Sequence, residues 1–248
     1  MPHVLGSLHA SPPPFGPSRG RPASARTATA GSGHVGDVWN RPRRIVLIRH
    51  GESEGNVDES AYQRKPDHRI ELTDIGKQQA RDAGAALKAL LGPDESVYVY
   101  VSPYMRTMQT LYEMGATFGT NRILGVREEP RMREQDFGNF QDHTMRDLKK
   151  ERARFGRFFF RFPNGESAAD VYDRVTSFRE TLRNDINFGR YNCDVLGCRT
   201  DDCTVVIVTH GLTLRIFLMR WYKWTTEMFD VVHNPGNAEL VVMERGSG

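Results

Sequence analysis

Short apolar runs and helical patterns alternate along most of this chain. Runs rich in Val, Ile and Leu, each as long as a strand, are followed by stretches in which apolar residues recur at helical spacing. We expect strands near 45–48, 97–101, 123–126, 204–208 and 238–243, and helices near 73–91, 102–118, 167–186 and 211–224. Because strands that alternate with helices form parallel sheets with crossover helices, this order predicts an α/β fold with a mostly parallel sheet.

Two of the predicted strands end in the same dipeptide, His-Gly. The first runs into Arg49, His50 and Gly51, and the fourth reaches His210 and Gly211. Neighbouring parallel strands would bring both histidines to the carboxyl edge of the sheet, where α/β proteins bind ligands. We therefore predict that the two histidines share one site, with Gly51 letting the backbone turn sharply and approach a ligand closely.

The residues around these strand ends suit the transfer of a phosphoryl group. Such a group carries about two negative charges, and it can pass to an imidazole when cations neutralise its oxygens. Arg49 is one such cation, and Arg106 can face the same edge from the helix that we expect to begin with Ser102 as its N-cap. His50 is the best candidate for the nucleophile. The expected further donors to the phosphoryl oxygens are the His210 side chain, the Asn56 amide and the Gly211 backbone N–H.

Departure of an alcohol from phosphorus also requires a proton. A carboxylic acid with a raised pKa near the cations can supply it, or the substrate can supply its own. Glu134 is our candidate because it lies in an irregular loop, where no helical face explains its presence. Asp136, two residues further on, is the alternative.

The basic charge of the chain comes from its first residues. The whole chain carries a formal net charge of +3. Residues 1–44 hold six Arg and one acid, which leaves 28 basic against 30 acidic residues in the remainder. Nucleic-acid binding requires a basic face on the folded domain, and this composition does not supply one.

Residues 1–43 differ in composition from the rest of the chain. They are rich in Pro, Gly, Ser, Ala and Arg and show no periodicity, so we expect a disordered extension or an organelle transit peptide. No apolar run approaches the ~20 residues that a membrane span needs. We expect a soluble protein without a membrane partner.

Three cysteines lie close together in a polar segment. Cys193, Cys198 and Cys203 have four residues between neighbours, which invites comparison with a zinc site. No fourth Cys and no nearby His completes a tetrahedral set, so we expect an ordinary loop with reduced thiols.

Several short motifs occur in a fixed order between residues 44 and 244. They are Arg49-His50-Gly51-Glu52-Ser53-Glu54-Gly55-Asn56, Leu72-Thr73-Asp74-Ile75-Gly76, Ser102-Pro103-Tyr104-Met105-Arg106-Thr107-Met108-Gln109-Thr110, Arg133-Glu134, Gly165-Glu166-Ser167 and Thr209-His210-Gly211. Together they resemble the histidine phosphatase superfamily, the phosphoglycerate mutase-like proteins. Within that superfamily the chain looks most like the plant-type phosphoglycerate mutase-like proteins.

The resemblance implies a fold and a mechanism. The implied fold is a three-layer α/β/α sandwich over residues 44–248, with a lid insertion at about 136–165. The implied chemistry is a phosphohistidine on His50, with Glu134 as proton donor and acceptor, no metal and no cofactor. The implied phosphate contacts come from Arg49, Arg106, His210 and Asn56.

Two segments depart from the pattern of better-defined relatives. Residues 62–67 read Tyr-Gln-Arg-Lys-Pro-Asp, where glycolytic mutases have a segment like Asn-Arg-Phe-Thr-Gly-Trp. This difference argues against a glycolytic role. Residues 136–141 read Asp-Phe-Gly-Asn-Phe-Gln, where many phosphatases of the family place Trp-Glu-Gly, and this leaves the substrate open.

The region of the expected lid is strongly basic. Residues 143–162 hold seven Lys or Arg against Asp147 and Glu151. A solvated helical face explains most charge runs of this kind. Alternatively, Arg146, Lys150 or Arg154 meets extra negative charge on a polyphosphorylated or acidic substrate.

These features favour a metal-independent phosphatase that acts on a phosphorylated small molecule or protein. The alternatives are a mutase that returns the phosphoryl group to another hydroxyl, and a non-catalytic protein that recognises phosphate. We expect a cytoplasmic location, or a plastid or mitochondrion if the first 40 residues are a transit peptide. The sequence leaves the oligomeric state open.

Overall fold

The computed structural model describes residues 42–138, 145–187 and 203–244. All of them belong to one unit, Trp39–Gly248. The predicted extension over residues 1–43 lies outside the described residues except for its last two positions, and so do Cys193 and Cys198.

The described residues form one five-stranded sheet in the order β3-β2-β4-β1-β5. Its strands are β1 (Arg44–Arg49), β2 (Ser96–Val101), β3 (Ile123–Glu128), β4 (Cys203–Thr209) and β5 (Leu240–Glu244). All neighbouring strands are parallel except β5, which pairs antiparallel with β1 at one edge. The five predicted strands and the mostly parallel sheet are confirmed. Cys203 was expected in a loop but is buried at the start of β4.

Helices connect the strands as the periodicity predicts. They are α1 (Glu54–Val57), α2 (Ala61–Arg64), α3 (Asp74–Leu90), α4 (Met105–Phe118), α5 (Met145–Phe155), α6 (Ala168–Asn187), α7 (Gly211–Tyr222) and α8 (Thr226–Val231). Thr73 is the N-cap of α3, and its side-chain oxygen accepts a hydrogen bond from the Gly76 N–H at 3.0 Å. Helix α5 falls within the segment where the sequence predicts a lid.

The sheet lies between two helical layers. On one face, Val46 and Ile48 of β1 pack with the buried residues of α3 and α4. On the other face, Ile45 and Leu47 pack with the apolar sides of α6 and α7. Alternate residues of β1 therefore enter two separate cores, which is why this strand is apolar at every position from 45 to 48. The three-layer α/β/α sandwich is confirmed.

The order of the strands brings three chain segments to the same point on the carboxyl edge. Strand β4 lies between β2 and β1, so the residues that follow these strands emerge side by side. The backbone ladder continues one step past the strands, with the His50 N–H donating to the Thr209 carbonyl at 2.9 Å and the Ser102 N–H to the Val208 carbonyl at 3.0 Å. The predicted meeting of His50 and His210 is thus a consequence of strand order.

Two local predictions at this edge are wrong. Ser102 does not cap α4, because that helix begins at Met105 with Tyr104 as its N-cap. Gly51 is tightly packed for a different reason from the one expected, since a Cβ atom there would collide with the Gly76 carbonyl oxygen at the start of α3. The close approach that needs glycine is therefore between two backbone segments, and it fixes the chain directly after His50.

The helices of the described residues are all too short or too polar to cross a membrane.

Candidate active site

Two buried histidines form the centre of the site. The His50 and His210 rings are 5.2 Å apart between centroids and meet edge to face, and both side chains are almost fully buried. Burial, reinforced by Arg106, holds the pKa of each imidazole well below its usual range. Both rings are therefore neutral at physiological pH.

The hydrogen bonds of His50 determine which of its nitrogen atoms can react. Its Nδ1 lies 2.7 Å from the Gly51 carbonyl oxygen, which can only accept. In the neutral ring, Nδ1 must therefore carry the proton and Nε2 must have the free lone pair. Nε2 is thus available as a nucleophile at neutral pH.

Ser102 performs the corresponding role for His210. The Ser102 hydroxyl lies 2.8 Å from His210 Nε2, and both groups are buried. Nδ1 of His210 is buried without a hydrogen-bond partner among the described residues. If Ser102 donates to Nε2, the His210 proton sits on Nδ1 and can be given to a bound phosphoryl oxygen.

We expect Ser102→Ala to lower kcat for phosphate-ester hydrolysis about tenfold, because His210 would lose the hydrogen bond that selects its donor tautomer. Nitrogen NMR of the imidazoles should show a changed tautomer ratio at His210. The matched control is Ser177→Ala, which removes an exposed hydroxyl on α6 and should leave both measurements unchanged. An unaltered His210 tautomer together with an unaltered kcat would contradict this role.

Two arginines lie beside the histidines. Arg49 Nη1 donates to the Pro235 carbonyl at 2.7 Å, and Arg106 Nη1 donates to the Asp67 carboxylate at 2.7 Å. The Nε atoms of both arginines are buried and have no hydrogen-bond partner among the described residues. Buried donors without partners are costly, so an anion that accepts from them would be strongly bound.

Asn56 is oriented to present its amide nitrogen. Its side-chain oxygen accepts from the Ser53 N–H at 3.0 Å and from Asn237 Nδ2 at 3.1 Å. The side-chain nitrogen has no hydrogen bond within the described part of the chain and remains available as a donor, as the sequence predicts. Gly211 begins α7, so its N–H belongs to the first turn, where backbone donors lack helical partners.

Glu134 lies in a loop that is held by hydrogen bonds to charged groups. Arg174, on α6, donates to the backbone carbonyls of Arg133 at 2.9 Å and Glu134 at 3.0 Å. The Arg174 guanidinium also pairs with Glu166, and Glu166 in turn pairs with Arg133. This network fixes the loop from below, so that the Glu134 side chain lines the cavity beside His50 and Arg106.

The environment of Glu134 favours its protonated form. Burial raises the pKa of this carboxyl above its usual range, although Arg106 opposes the shift. Asp136, the alternative from the sequence, is exposed, and its carboxylate accepts from the Gly138 N–H instead. The structure thus places Glu134, and not Asp136, at the site.

These groups line a cavity of about 270 Å³, which is large enough for a small phosphorylated molecule. Its lining residues are Arg49, His50, Gly55, Asn56, Glu59, Tyr62, Arg106, Glu134, Phe137, Arg152 and Asn234. The sequence analysis did not single out Tyr62, Phe137, Arg152 or Asn234. Tyr62 and Phe137 occupy the two segments that depart from the pattern of other relatives, and this was the available signal.

Burial also sets the ionisation of Tyr62. It raises the pKa of the Tyr62 hydroxyl to about 12, so this group stays protonated beside the bound anion. The described residues contain no group of three His, Cys, Asp or Glu side chains arranged to hold a metal ion.

A larger hollow lies beside α1 and α2. It has a volume of about 390 Å³ and is lined by Glu54, Val57, Asp58, Ala61, Arg64, Lys65 and Thr73. Its charged groups pair with one another, Lys65 with Glu54 at 2.7 Å and Arg64 with Asp58 at 2.8 Å. It contains none of the histidines, so the smaller cavity is the candidate active site.

Comparisons with known proteins agree with this geometry. The family model of the histidine phosphatase superfamily (branch 1) matches residues 45–248. The chain is 56% identical to the phosphoglycerate mutase-like protein AT74 of Arabidopsis thaliana over 84% of this chain and 66% of that protein. It is 35% identical to the broad-range acid phosphatase DET1 of Saccharomyces cerevisiae, over 86% of this chain and 89% of that protein.

A solved structure shows the same fold. Mycobacterial glucosyl-3-phosphoglycerate phosphatase, in complex with VO3, is 25% identical and superposes with a TM-score of 0.59, over 81% of this chain and 90% of that one. The match of the family model over most of the chain, and the similarity to relatives that cover most of it, are sufficient for assignment. The chain belongs to the histidine phosphatase superfamily (branch 1).

Proposed function

We propose that this protein is a metal-independent phosphatase that hydrolyses a phosphomonoester through a phosphohistidine on His50. The observation that carries the proposal is the state of the His50 ring. It is neutral, and its Nδ1–H is held by the Gly51 carbonyl, so Nε2 is free beside the buried donors of Arg49, Arg106 and His210. Membership of the family and the phosphatase names of several relatives support an enzyme of this kind.

In the first step, Nε2 of His50 attacks phosphorus and the bond from phosphorus to the ester oxygen breaks. Glu134, whose pKa is raised by burial, donates its proton to the departing oxygen. Arg49 and Arg106 neutralise the charge on the phosphoryl oxygens, and His210 Nδ1 and the Asn56 amide donate to them. Because two fixed cations supply this neutralisation, the step needs no metal ion.

In the second step, water attacks phosphorus and the bond from phosphorus to Nε2 breaks. Glu134, now a carboxylate, accepts a proton from that water. Inorganic phosphate leaves and both side chains return to their starting states. The two steps balance without any co-reactant other than water.

A mutase is the second candidate, because relatives with 56% and 52% identity are named phosphoglycerate mutase-like. A mutase would use the same phosphohistidine but return the phosphoryl group to a hydroxyl of the substrate. We prefer the phosphatase because the relative named as a broad-range acid phosphatase is covered over 89% of its length.

The test is a panel of phosphorylated metabolites assayed for release of inorganic phosphate, with and without a chelator. We expect release that the chelator does not change, together with acid-labile phosphate on the quenched enzyme. Interconversion of monophosphoglycerates that depends on a bisphosphorylated primer, without net release, would establish the mutase. Loss of activity in chelator would refute metal independence.

A further inference from the structure

Helix α5 contributes one arginine to the candidate active site, and it is not one that the sequence analysis selected. Arg152 lines the cavity with Arg49, His50, Arg106 and Glu134. Lys150 is exposed and pairs with Asp147 at 3.5 Å, and Arg154 is exposed over the Phe155 ring. The side chain of Arg146 lies outside the described residues. Of Arg152, Lys150 and Arg154, only Arg152 faces the site.

Arg152 is a partly buried cation without an ion pair or hydrogen bond among the described residues. Its guanidinium lies over the Phe162 ring, with 6.0 Å between the guanidinium carbon and the ring centroid. Asp230 and Glu134 are close enough to favour its charged form, but neither forms an ion pair with it in the described part of the chain. A charge held in this way without a partner is unfavourable unless a ligand completes the pair.

Further positive charge surrounds Arg152. Burial and the nearby Arg157 lower the pKa of Arg152, and Arg152 and Arg157 both lower that of the buried Arg215. Arg215 is committed to the backbone carbonyls of Phe229 and Val232. Arg157 is exposed, so Arg152 is the member of this group that is positioned to meet a ligand in the cavity.

The positive charge in the cavity exceeds what one phosphoryl group requires. Arg49 and Arg106 match the two charges of a phosphoryl group bound at His50, and the unpartnered Arg152 is additional. We propose that Arg152 binds a second anionic group, carried by the alcohol portion of the substrate. The substrate class is then a small phosphomonoester that bears a carboxylate or a second phosphate, with Tyr62 and Phe137 also lining the space for its carbon chain.

This inference rests on the proposed phosphatase activity and is tested with substrate pairs that differ only in the second group. 3-Phosphoglycerate is compared with glycerol 3-phosphate, which replaces the carboxylate by a hydroxymethyl group. Propane-1,3-diol bisphosphate is compared with its monophosphate. We expect kcat/KM of the wild-type protein to favour the more anionic member of at least one pair about tenfold or more, as a hydrogen bond to a charged group allows.

The Arg152→Ala protein should lose this preference. KM for the favoured anionic substrate should rise between about tenfold and a hundredfold, while kcat/KM for glycerol 3-phosphate stays within about twofold of wild type. Arg152→Lys keeps the charge and should retain part of the preference. Arg154→Ala removes an exposed arginine of the same helix and is the matched control, with no change expected.

The outcomes separate this inference from the proposed function. A wild-type protein that hydrolyses all the esters without preferring the anionic members would overturn the inference and leave the phosphatase intact. An equal fall of kcat for both members of a pair in the Ala and Lys proteins would indicate a structural role of α5 and would also overturn it. If no ester, including 4-nitrophenyl phosphate, releases phosphate, the proposed function itself fails.

Discussion

Replacement of His50 by alanine should abolish phosphate release, with a fall in kcat/KM of about 10⁴-fold or more, because no other group can form the covalent intermediate. His50 Nε2 is the nitrogen left free by the bond of 2.7 Å between Nδ1 and the Gly51 carbonyl. The same substitution should remove the acid-labile phosphate that is trapped on the wild-type protein when it is quenched during turnover.

The control for this variant is His68→Ala. His68 is exposed and touches only the edge of the Tyr104 ring, at 6.4 Å between centroids, so its loss should change kcat/KM little. Circular dichroism would show that the His50→Ala protein is folded. Acid-labile phosphate on that folded protein, or turnover close to wild type, would place the nucleophile elsewhere and contradict the mechanism.

The sequence was sufficient to predict the elements that meet at the site, because strand ends carry a local signal. A run from 45 to 48 that is apolar at every position indicates a strand buried on both faces, and the register of Arg49 with Thr209 confirms the pairing inferred from it. Glu134 could be selected because its loop offered no structural explanation for a carboxylate. These features depend only on neighbours along the chain and on the parallel arrangement of the strands.

The contacts that complete the site could not be predicted, because they join distant segments. Ser102 resembles a helix cap in sequence, but the central position of β4 places it against His210, 108 residues away. Arg174 holds the Glu134 loop from α6, and nothing in its helical pattern distinguishes it from other charged residues. Arg152 is one of many basic residues in its segment, and only the packing of α5 separates it from Arg154.

Replacement of Glu134 by glutamine should produce an effect that depends on the leaving group. For alkyl phosphates, whose alkoxide needs a proton, kcat should fall between about 10²-fold and 10⁴-fold. 4-Nitrophenol leaves as a stable anion, so the first step with 4-nitrophenyl phosphate should be nearly unaffected. Because the second step still lacks its base, a burst of nitrophenol stoichiometric with enzyme should precede slow turnover.

The control for this variant is Asp136→Asn, which removes an exposed carboxylate of the same loop and should leave both substrates unaffected. The Glu134→Gln substitution should not reduce the free energy of unfolding at pH 7. The raised pKa means that ionisation of Glu134 opposes folding, and its contribution to stability is full below the unfolded pKa and lost as pH rises through the folded pKa. An equal loss of activity with alkyl and nitrophenyl esters, in the absence of a burst, would contradict the assignment.

The pH dependence of the wild-type protein tests the same two groups together. His50 must be neutral, and its lowered pKa keeps it neutral to more acidic pH than an ordinary histidine, so activity is lost only as pH falls through that value. Glu134 must be protonated for alkyl esters, and its raised pKa extends that form to higher pH than an ordinary glutamate. The profile for alkyl phosphates should therefore be bell-shaped with an acidic optimum, and Glu134→Gln should remove its alkaline limb while the His50 limb remains.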